Sequence, residues 1–140
     1  MSSYPAFEEL DHTADLALRV YGRDRAELFA HAALGMFEAM HCHTTEQSAQ
    51  PIEAEIVLDA PDQETLLVDW LSELLYLSER RRACFTSFDI HQLTETHLEA
   101  TVHGTTACRP QLLIKAVTYS NLRIKRRDDG IYQVTIIFDI

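Results

Sequence analysis

Residues 122–140 read LRIKRRDDGIYQVTIIFDI, and this stretch decides the fold. Leu122 and Ile124 lead into Asp129 and Gly130, a hairpin turn signal, and Tyr132, Val134, Ile136 and Phe138 return with strict alternation. A period of two places those four side chains on one face of a strand and makes that face the core side. Asp139 falls on the opposite phase, away from the core. Ile140 follows it as the last residue given, so its α-carboxylate is expected as a further acidic group at the end of a rigid strand.

Working outward, Leu16, Leu18 and Val20 alternate with Asp15, Ala17, Arg19 and Tyr21, which predicts a half-buried strand with Asp15 facing away from the core. Gly22 permits a turn. Asp24 followed by Glu27 is an N-cap with a capping-box partner, and Leu28, Phe29, Ala32, Ala33, Met36, Phe37 and Met40 recur at helical spacing behind it. A polar loop with His41, His43, Ser48 and Pro51 precedes a strand in which Ile52, Ala54, Ile56 and Leu58 alternate with acidic residues. Asp62 caps a second helix, whose stripe of Leu66, Leu67, Trp70, Leu71, Leu74, Leu75 and Leu77 runs up to Arg80. Strands are expected at 88–93, 98–103 and 114–119. Strands outnumber helices, so the chain reads as a single α+β domain over 1–140, a mostly antiparallel sheet with both helices on one face and the other face wet.

With 140 residues and 46% hydrophobic side chains, the chain is long enough to bury a core without staples. The net charge of −10 repels phosphates on average, so strong direct nucleic-acid binding is not expected. The runs Arg80–Arg82 and Arg123–Arg127 read as solvated faces, with an RNA contact as the competing reading. Cys42, Cys84 and Cys108 are odd in number and widely scattered, which speaks against a disulfide framework and for reduced, cytoplasmic thiols. No apolar run reaches the roughly 18 residues of a membrane span, and no signal peptide is suggested.

The glycines are isolated, so no phosphate-cradling loop is present, and no nucleophile elbow or metalloprotease helix occurs. His41, Cys42 and His43 are soft-metal ligand types, and His103 with Cys108 would complete a zinc tetrahedron. Their spacing fits no known zinc module, so Cys84 and Cys108 read as buried thiols. The carboxylates of Asp15, Asp139 and Ile140 are oxygen ligands only. Brought together, they would need a cation, a basic neighbour or raised pKa values, and they would suit Ca²⁺, Mg²⁺ or Mn²⁺; pattern alone leaves open that they are ordinary edge carboxylates far apart. Lys115, a charge within Ile114–Tyr119, is either a snorkelling edge residue or a positive group presented near the acidic pair.

The segment Leu10–Asp15, the segment Ile114–Tyr119 and the ending Phe138, Asp139, Ile140 together resemble the archease family, in order and spacing along essentially the whole chain. The resemblance implies an accessory protein rather than an enzyme, one that assists the RtcB-type RNA ligase of tRNA splicing and RNA repair by promoting its guanylylation and multiple turnover. It implies a divalent cation, commonly calcium, on Asp15, Asp139 and the carboxylate of Ile140, and functional roles for Lys115 and His12. Leu112 and Leu113 depart from the polar residues expected before Lys115, and Ser120 stands where many members have histidine. The alternatives are a metal-dependent hydrolase built on the same carboxylates and a chaperone-like binding module for RNA-modifying enzymes.

Overall fold

Both helices begin where the sequence supplies an aspartate cap. In the computed structural model, which describes residues 3–10, 15–44 and 48–140, Asp24 accepts from the Glu27 amide at 2.8 Å and Asp62 from the Thr65 amide at 2.7 Å. The Glu27 side chain reaches back one residue further than a capping box requires, to the Arg23 amide at 3.0 Å, and also takes the Tyr4 hydroxyl. Each helix stops on a left-handed residue, His41 (φ 49°) and Arg82 (φ 51°), with no glycine available at either place. At the second stop the buried Ser78 hydroxyl donates to the Ala83 carbonyl at 2.6 Å.

The described elements run β1 (Phe7–Leu10), β2 (Leu16–Gly22), α1 (Arg25–Met40), β3 (His43–Thr44), β4 (Pro51–Asp59), α2 (Gln63–Arg81), β5 (Cys84–Leu93), β6 (His97–Thr105), β7 (Cys108–Arg109), β8 (Ala116–Val117), β9 (Lys125–Arg126) and β10 (Tyr132–Asp139). Every strand pair is antiparallel, divided among three sheets. The first has the order β1-β2-β10-β8 with β9 also on β10; the second is β4-β6-β5; the third is the short pair β3-β7. Helix α1 packs on β2 and β5 and α2 on β4 and β8, so both helices serve both larger sheets.

The alternation in the last strand is obeyed: Val134, Ile136 and Phe138 are buried and Asp139 is exposed. The hairpin forms as expected, with Gly130 at φ +88°, a value that L residues rarely adopt, and the Arg127 amide closing on the Ile131 carbonyl at 2.8 Å. Strand β2 departs from expectation. Its second face is not wet, because Ala17 and Tyr21 are buried as well. The reason is β1, an edge strand with no alternation to announce it. Ala17 sits between Leu10 and Ile137, and Tyr21 bonds Glu8 on β1 and lies under the Arg127 guanidinium, 5.9 Å from the ring centroid.

The strand expected over 114–119 shrinks to Ala116–Val117. Just beyond it the Thr118 amide and hydroxyl both donate to the Ile137 carbonyl, at 3.0 and 2.8 Å.

Trp70 locks the helices together. Its ring is fully buried, its indole N–H donates to the Phe29 carbonyl at 2.9 Å, and Phe88 meets it edge-on at 6.3 Å. The Trp70→Ala variant is expected to lose about 3–5 kcal/mol of stability, read as a lowered denaturant midpoint at unchanged slope. A loss below about 1 kcal/mol would show that the helix interface collapses around the cavity.

Candidate functional site

Register sets the two aspartates near one end of β10. The last pair between β2 and β10 is Leu16 with Phe138; Asp139 is the next residue of β10, and Asp15 lies in the bend immediately before β2. Since Phe138 points into the core, Asp139 belongs to the opposite side. On the other flank of β10, Ala116 pairs with Asp139, and the Lys115 amide donates to the Asp139 carbonyl at 2.7 Å. Asp139, Ile140 and Lys115 are exposed and Asp15 is half-buried. His12 lies outside the described residues. The aspartates offer oxygen donors only, Asp139 from the end of β10 and Asp15 from the residue before β2, which fits a hard divalent cation and gives zinc no preferred ligand.

Beside this edge an open cleft of about 720 Å³ runs between α2 and the segment 108–117, with Tyr76, Arg82, Leu113, Lys115 and Val117 on its walls. The departure at 112–113 acquires a place here: Leu112 packs against the core, whereas Leu113 stands 71% exposed on the cleft wall. The arginine runs engage their own protein. Arg80 bonds the Tyr76 hydroxyl at 3.3 Å, Arg126 lies over the Tyr132 ring, and Arg127 pairs with Asp129 at 2.9 Å.

The expectation of separate buried thiols is corrected. Cys84 and Cys108, 24 residues apart, are joined as a disulfide with Cα atoms 5.8 Å apart, and Cys42 brings its own sulfur into the same cluster. Sequence spacing could not show this, because the meeting depends on two non-local pairings: Cys84 with Thr105 and Thr44 with Cys108. A Cβ on Gly104 would overlap the Cys84 carbonyl, so glycine there permits the close approach. Burial pushes the Cys42 thiol up to about 11, so it is mostly protonated at neutral pH. His103, set aside as a zinc partner of Cys108 on spacing, lies on the outer face of β6, 3.6 Å from Glu53 and 3.7 Å from Asp89.

That outer face carries a ladder of histidines and acids that alternation could have revealed, since His97, Glu99, Thr101 and His103 share one phase of β6. His91 bonds Thr101 at 2.6 Å, and the Thr101 hydroxyl donates to Glu55 at 2.7 Å. His97 has a carboxylate at each ring nitrogen: Asp59 2.7 Å from Nδ1 and Glu99 2.8 Å from Nε2. A neutral imidazole would turn a lone pair toward one of them. Hydrogen bonding to Glu99 and then to Asp59 accordingly raises the His97 pKa above its ordinary value.

These features define a class: a small α+β protein with a carboxylate-bearing strand edge, a neighbouring lysine and an open cleft of mixed polar and apolar lining. The chain matches the family model described as "Archease protein family (MTH1598/TM1083)" over residues 7–140. It is 38% identical to the protein archease of Methanosarcina barkeri, with 96% of this chain and 95% of that one covered, and 37% identical to that of Saccharolobus solfataricus, with 96% and 98% covered. The solution structure of Methanobacterium thermoautotrophicum protein 1598 superposes with a TM-score of 0.69 at 31% identity, covering 96% of this chain and 99% of that one. A Thermotoga maritima crystal structure, described as "an archease, possible chaperone", shares the fold with a TM-score of 0.67 at 20% identity, covering 100% and 98%. This chain belongs to the archease family. No described helix is long and apolar enough to cross a membrane.

Because the folded His97 pKa is raised, its contribution to stability is complete below the ordinary imidazole value and is lost as pH rises through the folded value. The stability gap between the native protein and the His97→Gln variant is expected to be larger at about pH 5.5 than at about pH 8.5, measured by urea unfolding at both. An equal gap at the two pH values would remove the imidazolium from the ladder.

Proposed function

We propose that this protein is a non-catalytic activator of an RtcB-type RNA ligase, promoting guanylylation and multiple turnover of that enzyme in the cytoplasm, and that it acts on tRNA or broken RNA only through it. What supports this reading is that Asp139 ends β10 with the Lys115 amide on its carbonyl, and that Asp15 precedes Leu16, the partner of Phe138, in a chain of the archease family. Asp15, Asp139 and the α-carboxylate of Ile140 hold a divalent cation, Ca²⁺ in the first instance, with Mg²⁺ or Mn²⁺ as substitutes. The cation, when bound, neutralises the repulsion among these carboxylates and fixes the edge.

This chain's own residues do the rest. Lys115, anchored through its amide to the Asp139 carbonyl, presents an exposed ammonium beside the acidic edge, where it meets an acidic or phosphate group of the partner. Exposed Leu113 and Tyr76 on the adjacent cleft give the partner an apolar foothold. The net charge of −10 speeds the encounter with a basic nucleotide-binding surface. Activation follows if these contacts favour the ligase conformation competent for guanylylation over the resting one. The family resemblance gives His12 a part in the same function. The open cleft also suits the chaperone-like reading, in which the partners are RNA-modifying enzymes more generally.

The test is multiple-turnover ligation by the cognate ligase with the native protein and with Asp15→Ala, Lys115→Ala and Asp139→Ala. Each variant is expected to lose stimulation by about tenfold or more, the factor that roughly 1.4 kcal/mol removes, while melting like the native chain. Undiminished stimulation by all three would defeat the site assignment. No stimulation by the native protein would transfer the case to the chaperone-like reading. A chain extended by a short peptide after Ile140 is expected to lose calcium binding in calorimetry, and unchanged binding would exclude the Ile140 carboxylate as a ligand.

A further inference from the structure

Three sulfurs converge from segments that are remote in sequence, and nothing in the proposed ligase role uses them. Cys42 follows the end of α1, Cys84 opens β5, and Cys108 opens β7. Their Sγ atoms all lie within 4.8 Å of one another. Backbone bonds hold the three segments in place. The Cys108 amide donates to the Arg82 carbonyl at 3.1 Å, the Ala83 amide to Ser78 at 3.0 Å, and the Gln111 and Leu112 amides to the Met40 carbonyl at 2.8 and 3.1 Å. Cys84 and Cys108 are buried, and Cys42 is half-buried on the wall of an open cleft of about 470 Å³. An ion entering that cleft reaches all three.

We propose that Cys42, Cys84 and Cys108 form a binding site for one thiophilic d¹⁰ ion, Zn²⁺ or Cu⁺, which is open when the Cys84–Cys108 bond is reduced and closed when it is formed. Sulfurs bound to a common ion at about 2.3 Å stand about 3.8–4.0 Å apart, so the observed cluster needs side-chain adjustment and no rebuilding of the backbone. Three thiolates select soft ions over the hard ions suited to the carboxylate edge. No histidine or carboxylate joins the cluster among the described residues. The protein therefore supplies three sulfurs, leaving Cu⁺ three-coordinate or Zn²⁺ with a fourth position facing the cleft.

Opening the site is a two-electron reduction. Two equivalents of a small-molecule thiol supply the electrons and two protons, giving the Cys84 and Cys108 thiols and one small-molecule disulfide. Ion binding then displaces the thiol protons to solvent. Oxidation reverses the sequence and leaves Cys42 as a lone thiol, too few donors to retain the ion. Cys108 also lines the cleft that contains Lys115, so the occupied and oxidised forms differ on a wall of the proposed partner surface.

The test uses the full chain, reduced and freed of reductant without air, titrated separately with Zn²⁺ and Cu⁺ against chromophoric chelators, and with Co²⁺ for its thiolate charge-transfer absorption. One equivalent is expected to bind with that absorption, and diamide-oxidised protein is expected to bind none at this site. Cys42→Ser and Cys42→Ala are each expected to weaken binding by more than the roughly 10–100-fold typical of losing an outer-shell partner. Asp139→Ala should bind as the native chain does, which separates this site from the carboxylate edge. In the native chain, the bound ion should slow alkylation of Cys42, a readout independent of whether the variants fold. Absence of thiolate absorption in the reduced protein, native-like affinity in both Cys42 variants, or alkylation indifferent to the ion would each overturn the proposal.

Discussion

The pairing of β10 with β2 is the constraint on which the rest of the structure depends. Seven consecutive pairs, from Tyr132 with Gly22 to Phe138 with Leu16, commit the core faces of both strands to α1 and set the end of β10 beside the start of β2. A slip of one residue would turn Val134, Ile136 and Phe138 out to solvent, exposing side chains whose burial contributes about 1.5–3 kcal/mol each. The same register ends with Leu16 on Phe138, which leaves Asp15 and Asp139 just beyond the last pair. Core packing and the acidic edge are thus two consequences of one alignment, and the edge owes its rigidity to apolar residues that make no contact with a ligand.

Around that strand pair the chain separates its chemistry by hardness. Oxygen donors gather at the end of β10, where exposed positions keep carboxylates hydrated. Sulfurs gather at the junction of α1, β5 and β7, where burial suppresses the thiolate form of Cys42. The imidazoles of the β4-β6-β5 sheet lie on an outer face where acids from neighbouring strands stand opposite them. That face carries Glu53, Glu55, Asp59, Asp89 and Glu99. The segment 108–117 links the first two regions, since it begins at Cys108 and ends beside Asp139.

Periodicity was a sound guide wherever a strand or helix had one buried face. It placed β2, β4, β10 and both helices, and the caps at Asp24 and Asp62. It failed where non-local bonding decided the conformation. Strand β1 exists because β2 offers it a free edge, and β3 with β7 because the ends of α1 and β6 are brought side by side. The strand expected at 114–119 reached only Ala116–Val117, where β10 offers it an edge. The wet second face expected of β2 was lost for the same kind of reason, since Ala17 and Tyr21 are covered from other parts of the chain.

By itself the sequence determined the α+β class, the hairpin at Gly130, the phase of Asp139 and the family, because these depend on local turn chemistry, on a period of two or 3.6, and on short motifs in order. Only the tertiary structure decided that Asp15, Asp139 and Lys115 share one strand end and that Cys42, Cys84 and Cys108 share one cleft. Residues that far apart in sequence meet through registers and sheet order, and those are set by the burial of the whole core, which no local pattern records.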